Sequence, residues 1–241
     1  MPNVDRTTDV DRTPDSEQTP NTERTSDTER SPVTERTSDS EQPSEVDRTP
    51  DAERTSRARP TVVVDTNVLV HLAMAVVDER AIAPSGEDPL RTVLSVYDVH
   101  VPSSVLGEIT AASRSDDLLG TAADLVLLAS GHLTTHDVGA RLDERLEYGL
   151  DVGESHGIWL ANELSAEMFV TDEFNTTNYL LVSLALDDRN VLFTTPHVLC
   201  SLASHGLLDA RYVDAALSYY LETRGWDRGY VQLLREIYLR D

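Results

Sequence analysis

Four carboxylates in this chain fall where carboxylates can do metal chemistry: Asp65, Glu108, Glu154 and Asp172. Asp65 follows Val62-Val63-Val64, a run of β-branched residues that reads as a buried parallel strand, and a helical pattern begins just after it. Glu108 lies in Val105-Leu106-Gly107-Glu108-Ile109, one or two turns into a helix opened by Pro102 and Ser103. Glu154 starts the helical stretch Gly153–Leu164, and Asp172 follows the strand-like Phe169-Val170. In a parallel sheet, strand ends and first helical turns share one rim, and ligands bind at that rim. Carboxylates gathered there repel one another unless cations intervene. Mg²⁺ and Mn²⁺ favour carboxylate oxygens and water, and two such ions about 4 Å apart can position a water and stabilise both oxygens of a phosphodiester displacement. Taken singly, each acid has a plainer role: Asp65 or Asp172 as a helix cap, Glu154 as a first-turn charge facing the helix dipole, Glu108 as part of a solvated helical face. Taken together, in this order and spacing, they point to a metal site.

The elements that must position these acids alternate along the chain. After the first strand, Val68–Val77 read as a helix, Val99–Val101 as a second strand, and Asp116–Ser130 as a helix. A third strand is expected within His132–Val138, followed by a polar helix to about Tyr148. Glu167–Val170 read as a fourth strand, Thr176–Leu186 as a helix and Val191–Phe193 as a fifth strand, and helices near 196–205, 209–223 and 228–239 close the chain. Strands separated by helices predict an α/β fold with a parallel sheet of about five strands and helices on both faces. Residues after Gly206 show apolar spacings of three and four at Tyr212, Ala216, Leu217, Tyr220 and Leu221, then at Trp226, Tyr230, Leu233, Leu234, Ile237 and Tyr238. They read as a helical extension, 209–241, packed on a domain of residues 60–208 or on a second copy of the chain.

Composition narrows the class. The chain has 241 residues, a formal net charge of −23 and no lysine, so all 20 basic side chains are arginine. At molar ionic strength the Debye length is about 3 Å and repulsion among surface carboxylates is largely screened. This composition therefore fits a halophilic cytoplasmic protein, and in such salt an acidic surface is a weak objection to nucleic acid as a partner. Residues 1–59 repeat a hexad with an acidic residue at positions 5, 11, 17, 23, 29, 35, 41, 47 and 53. A period of six matches neither helix nor strand, and the segment has few large apolar side chains, so a disordered acidic tail is expected. The single cysteine, Cys200, leaves no internal disulfide and no cysteine-rich zinc module. No apolar run is long enough for a membrane span, and the polar N-terminus does not read as a secretory signal.

The ordered acids, with their flanking residues, resemble the PIN-domain ribonucleases, which include the VapC-type toxins. The resemblance covers about residues 61 to 208. Asp65-Thr66-Asn67 matches the family's opening Asp-Thr-Asn/Ser after an apolar strand, and Glu108 its helical glutamate about forty residues later. Gly153-Glu154 through Ile158, Leu160 and Ala161 matches its Gly-Glu segment, and Asp172 its strand-end aspartate. Thr194-Thr195-Pro196-His197-Val198-Leu199, with Gly206-Leu207, stands for its late Gly-Thr segment. The resemblance implies a three-layer α/β/α sandwich and Mg²⁺- or Mn²⁺-dependent RNA cleavage, often from a homodimer, with a separately encoded antitoxin as partner if the chain is a toxin. By this likeness Asp65, Glu154 and Asp172 are metal ligands, and Glu108 either shares the ion with them or stands just behind them. Asn67, Glu173, Asn175 and Thr195 complete the candidate set. The family often carries a further acid just after the strand-end aspartate, and here Glu173 or Asn175 stands there.

Other readings fare worse. A receiver domain uses a lysine, and a haloacid-dehalogenase-type phosphatase needs an aspartate where Asn67 stands. No glycine-rich phosphate loop follows the first strand, and Ser103, Ser104 and Cys200 lack a neighbouring base. His156 and His197 read as surface or packing residues. Asp172 to Asn178 look somewhat like the archaeal PIN endonuclease that matures ribosomal RNA, but that enzyme carries a cysteine-rich zinc ribbon. A PIN-like module that binds RNA or scaffolds without turnover is the alternative from a different class.

Overall fold

The computed structural model describes residues 58–78, 86–142, 150–172, 176–187 and 190–240, and the side chains of Thr176 and Thr177 are not among those described. Residues 1–57 of the hexad tail, residues 143–149 of the expected polar helix, and Glu173 and Asn175 therefore lie outside the described residues, while residues 139–141, where that helix is expected to begin, form a turn.

The Val62–Val64 run forms the central strand of the sheet. It belongs to β1 (Thr61–Val64), which is flanked on one side by β2 (Asp98–Pro102) and β3 (Thr134–His136) and on the other by β4 (Met168–Val170) and β5 (Val191–Phe193). All four pairings are parallel, with Val62 opposite both Val99 and Met168, and Val64 opposite Val170. The order β3-β2-β1-β4-β5 means that the chain builds outward on one side of β1 and then crosses back to its other side. The switch falls between β1 and β4, and at such a point the crevice beyond the strand ends is the binding place of an open α/β sheet. Asp65 follows one of these strands and Asp172 lies two residues past the other.

Side chains of β1 alternate between two cores, which is why an unbroken apolar run suits a strand covered on both faces. Val62 and Val64 belong to one cluster, with α1 (Thr66–Val77), α2 (Pro89–Val96), α3 (Ser103–Ala112), α4 (Leu118–Leu128) and α7 (Thr195–Ser204). Val63 belongs to the other, with Phe169, α5 (Val152–Leu164) and α6 (Thr176–Ala185). These are the three layers of an α/β/α sandwich.

Helix α2 is absent from the reading of the sequence. Its start signal was present all the same: Asp88 caps it by accepting from Arg91 N at 2.9 Å, and Pro89 occupies the first turn. The helix expected over Asp116–Ser130 begins later, because Asp117 accepts from Gly120 N at 2.9 Å and so stands outside it as the cap. Ser130–His132 form a 3-10 turn instead.

The C-terminal residues form α8 (Ala210–Thr223) and α9 (Arg228–Tyr238), joined through Gly225 in a left-handed conformation (φ +66°) that suits glycine at a helix end. Tyr212, Leu217, Tyr220, Trp226 and Leu234 are buried in the same core as β1 and α1. The apolar stripe of α9 is narrower than its spacing implied: Val231 and Leu234 are buried, while Leu233 is 52% and Ile237 61% exposed.

Candidate active site

Asp65 is buried, and its carboxylate both caps α1 and enters the crevice. Oδ1 accepts from Thr66 N at 2.7 Å and Oδ2 from Thr171 Oγ1 at 3.2 Å, while its own backbone N–H donates to Val170 O at 3.0 Å and continues the β1–β4 ladder. Burial pushes the carboxyl up to about 7 and the nearby charges of Glu108 and Glu154 add to the rise, outweighing the donors from Thr66 and Thr171. Two of the other acids read from the sequence thus act electrostatically on Asp65.

Glu108 is on the exposed side of α3, where Oε2 accepts from Thr66 Oγ1 at 2.5 Å. Its other oxygen lies against the first turn of α5: a Cβ on Gly153 would stand 2.7 Å from Glu108 Oε1. A side chain at 153 would therefore displace the end of the Glu108 side chain, with the capping Asp151 beside it. Glu154 follows as the third residue of α5, buried, its N–H donating to Asp151 Oδ1 at 2.8 Å. One turn on, a Cβ on Gly157 would meet Phe169 Cε2 at 2.8 Å. Gly157 lets α5 lie close on β4, and that packing delivers Glu154 to the strand ends.

Asp172 is held differently. Oδ1 accepts from Thr195 N at 2.7 Å, and Oδ2 accepts from Thr195 Oγ1 at 2.6 Å and from His71 Nδ1 at 2.6 Å. An ionised carboxylate has about four acceptor positions, so three donors leave about one, on Oδ1. Among the described residues, no three Asp, Glu, His or Cys side chains stand close enough to hold a metal ion as they are placed.

Glu108 and Glu154 thus each lie within electrostatic reach of Asp65 beside the β1–β4 switch, while Asp172 is clamped separately at the neighbouring strand end by Thr195. Asn67 is exposed, on the first turn of α1. His197 packs: its ring stacks on Phe193 at 4.0 Å, and Nε2 meets Tyr238 Oη at 2.7 Å. Reading the sequence missed Thr66, Thr171 and His71. The one available signal was for His71, the only polar residue in the run Val68–Val77.

The donor set suits a hard divalent cation. It consists of carboxylate oxygens, the ligand type that hard divalent cations prefer. Compared with models of protein families, with curated proteins and with solved structures, the chain matches none of them.

Proposed function

We propose that this protein is a metal-dependent nuclease of the PIN type that hydrolyses RNA phosphodiester bonds with Mg²⁺ or Mn²⁺. One observation carries the reading: the buried Asp65 carboxylate lies at the sheet's switch point, and Thr66 beside it donates to Glu108, which with Glu154 is in electrostatic reach of Asp65. A purely structural cap does not need those glutamates. Asp65, Glu154 and Asp172 would hold the cation, and Glu108, fixed by Thr66 and the Gly153 turn, would shape the charge around it. The cation, when bound, supplies positive charge against the scissile phosphate and makes a water a better nucleophile. Thr195 and His71 hold Asp172 in one orientation, and Thr171 does the same for Asp65.

The test is cleavage of RNA in high salt with Mn²⁺ or Mg²⁺, comparing the full chain with Asp65→Asn. Loss of at least about a hundredfold in rate supports the reading, and unchanged metal-dependent cleavage sinks it. A non-catalytic RNA-binding module is the second reading, favoured by the three donors that already occupy Asp172. RNA binding with no cleavage and no Mn²⁺ uptake at millimolar concentration would select it.

A further inference from the structure

We infer that the C-terminal hairpin α8–α9 is a positioning element of the acidic site, acting on Asp172 through two separate contacts. The inference rests on the cation-dependent nuclease reading above and goes beyond it, because residues 209–241 lie past the stretch that carries the PIN resemblance.

The first contact runs through His71. Tyr220 is fully buried, and its hydroxyl donates to the backbone carbonyl of His71. Its ring lies 5.9 Å from the imidazole at 53°, and Trp226 meets the same imidazole edge-on at 5.9 Å and 76°. Tyr220 and Trp226 stack on each other at 4.5 Å. The imidazole is thus fixed against two aromatic rings from the hairpin, with Nδ1 aimed at Asp172 Oδ2, 2.6 Å away. In the tautomer with hydrogen on Nδ1, the imidazole donates to this carboxylate oxygen.

The second contact runs through α7. Tyr230 Oη and Thr194 Oγ1 are 2.9 Å apart, and Thr194 caps the helix whose first residue, Thr195, gives both its N–H and its hydroxyl to Asp172. Among the described residues, every donor to Asp172 is therefore backed by an aromatic residue of α8–α9 or the turn between them. A generic core would need the rings alone. Here the hydroxyls of Tyr220 and Tyr230 end on the two segments that hold one carboxylate. Groups that orient a metal-binding side chain govern affinity even though they never touch the ion, and losing one typically costs ten- to a hundredfold.

The experiment measures Mn²⁺ affinity of the full chain by calorimetry, alongside its melting temperature and RNA cleavage. His71→Leu should weaken Mn²⁺ binding about tenfold or more, and His71→Asn, whose amide can replace the Nδ1 donor, should restore it to within about threefold. The double variant Tyr220→Phe/Tyr230→Phe removes two oxygens and no carbon. It should weaken binding at least about threefold while melting within about 4 °C of the parent. If His71→Leu does not fold, the double variant decides alone. Should Asp65→Asn abolish Mn²⁺ binding while the His71 and tyrosine variants bind like the parent, the positioning role is wrong and the nuclease reading stands. A parent protein that binds no Mn²⁺ and cleaves no RNA overturns both.

Discussion

Replacing Asp65 by asparagine should stabilise the metal-free protein, by an amount that depends on pH. The folded protein holds the Asp65 proton up to a pH of about 7, against the ordinary 3.8, so between those values it binds more protons than the unfolded chain. Stability from this group is therefore lost as pH rises from about 4 to about 7, and the full cost persists above that. A difference of about three units at 1.36 kcal/mol each sets a ceiling of about 4 kcal/mol. With water entry and relaxation, about half of that is expected, or a rise in melting temperature on the order of 4–8 °C for a domain of this size. Asparagine caps helices as well as aspartate does and keeps an acceptor for Thr66 N, so the comparison isolates the charge. Melting both proteins in EDTA, in one concentrated salt, from pH 4 to pH 8 gives the measurement. His136 and His197 are both held below the ordinary imidazole value, chiefly by burial. They favour the folded state more as pH rises, but both proteins carry them and they cancel in the difference. If the variant and its parent melt alike at pH 8, or differ by a constant amount across the range, the electrostatic account is refuted. Saturating Mn²⁺ should reverse the order, since a cation at a hundred times its dissociation constant adds about 2.7 kcal/mol to the parent.

Gly153→Ala should fold well, because alanine is the better helix former by about 1 kcal/mol, yet it should cut RNA cleavage severalfold by displacing Glu108 Oε1, 2.7 Å from the new methyl; kinetics and melting on the same sample check the split. Gly157→Ala should instead cost about 1–3 kcal/mol in chemical denaturation, because its methyl meets the core ring of Phe169 at 2.8 Å. Deleting residues 1–58 should leave melting temperature, oligomeric state and cleavage unchanged. Ending the chain at Gly206 should instead produce aggregation visible by light scattering, since it strips Tyr212, Leu217, Tyr220 and Trp226 from the core.

What could be read from the sequence was what is local. Val62–Val64 announce a buried strand by composition, and Asp65, Glu154 and Asp172 announce themselves by following or opening an element. Their placement at one rim of the sheet needed only the parallel-sheet rule. Helix α2 was missed because its apolar positions, Leu90, Val93 and Leu94, make one short stripe, although Asp88-Pro89 marks its start. The exposure of Leu233 and Ile237 could not be read from spacing, which fixes a stripe's direction but not how much of it a neighbour covers. His71 was illegible for a different reason. Its partners lie 101 residues away at Asp172 and 149 away at Tyr220, and nothing local marks a lone histidine in an apolar helix as a clamp.

The sequence posed cap and ligand as rival roles for Asp65, and the structure shows that the cap role does not exhaust the side chain. The Thr66 N–H bond places the carboxylate at the N-terminus of α1, the positive end of the helix dipole, where an aspartate is ordinarily stabilised as an anion. Such a cap should titrate low. Asp117 and Asp209, exposed caps of α4 and α8, are indeed held below the ordinary aspartate value by backbone N–H donors. Asp65 has the same kind of donor and moves the other way, because burial between β1 and β4 and the charges of Glu108 and Glu154 outweigh it. Capping alone could be done by an exposed residue, or by a neutral serine or asparagine, without that cost. Asp65 therefore differs from the exposed caps in being buried, with Glu108 and Glu154 adding to the effect of that burial.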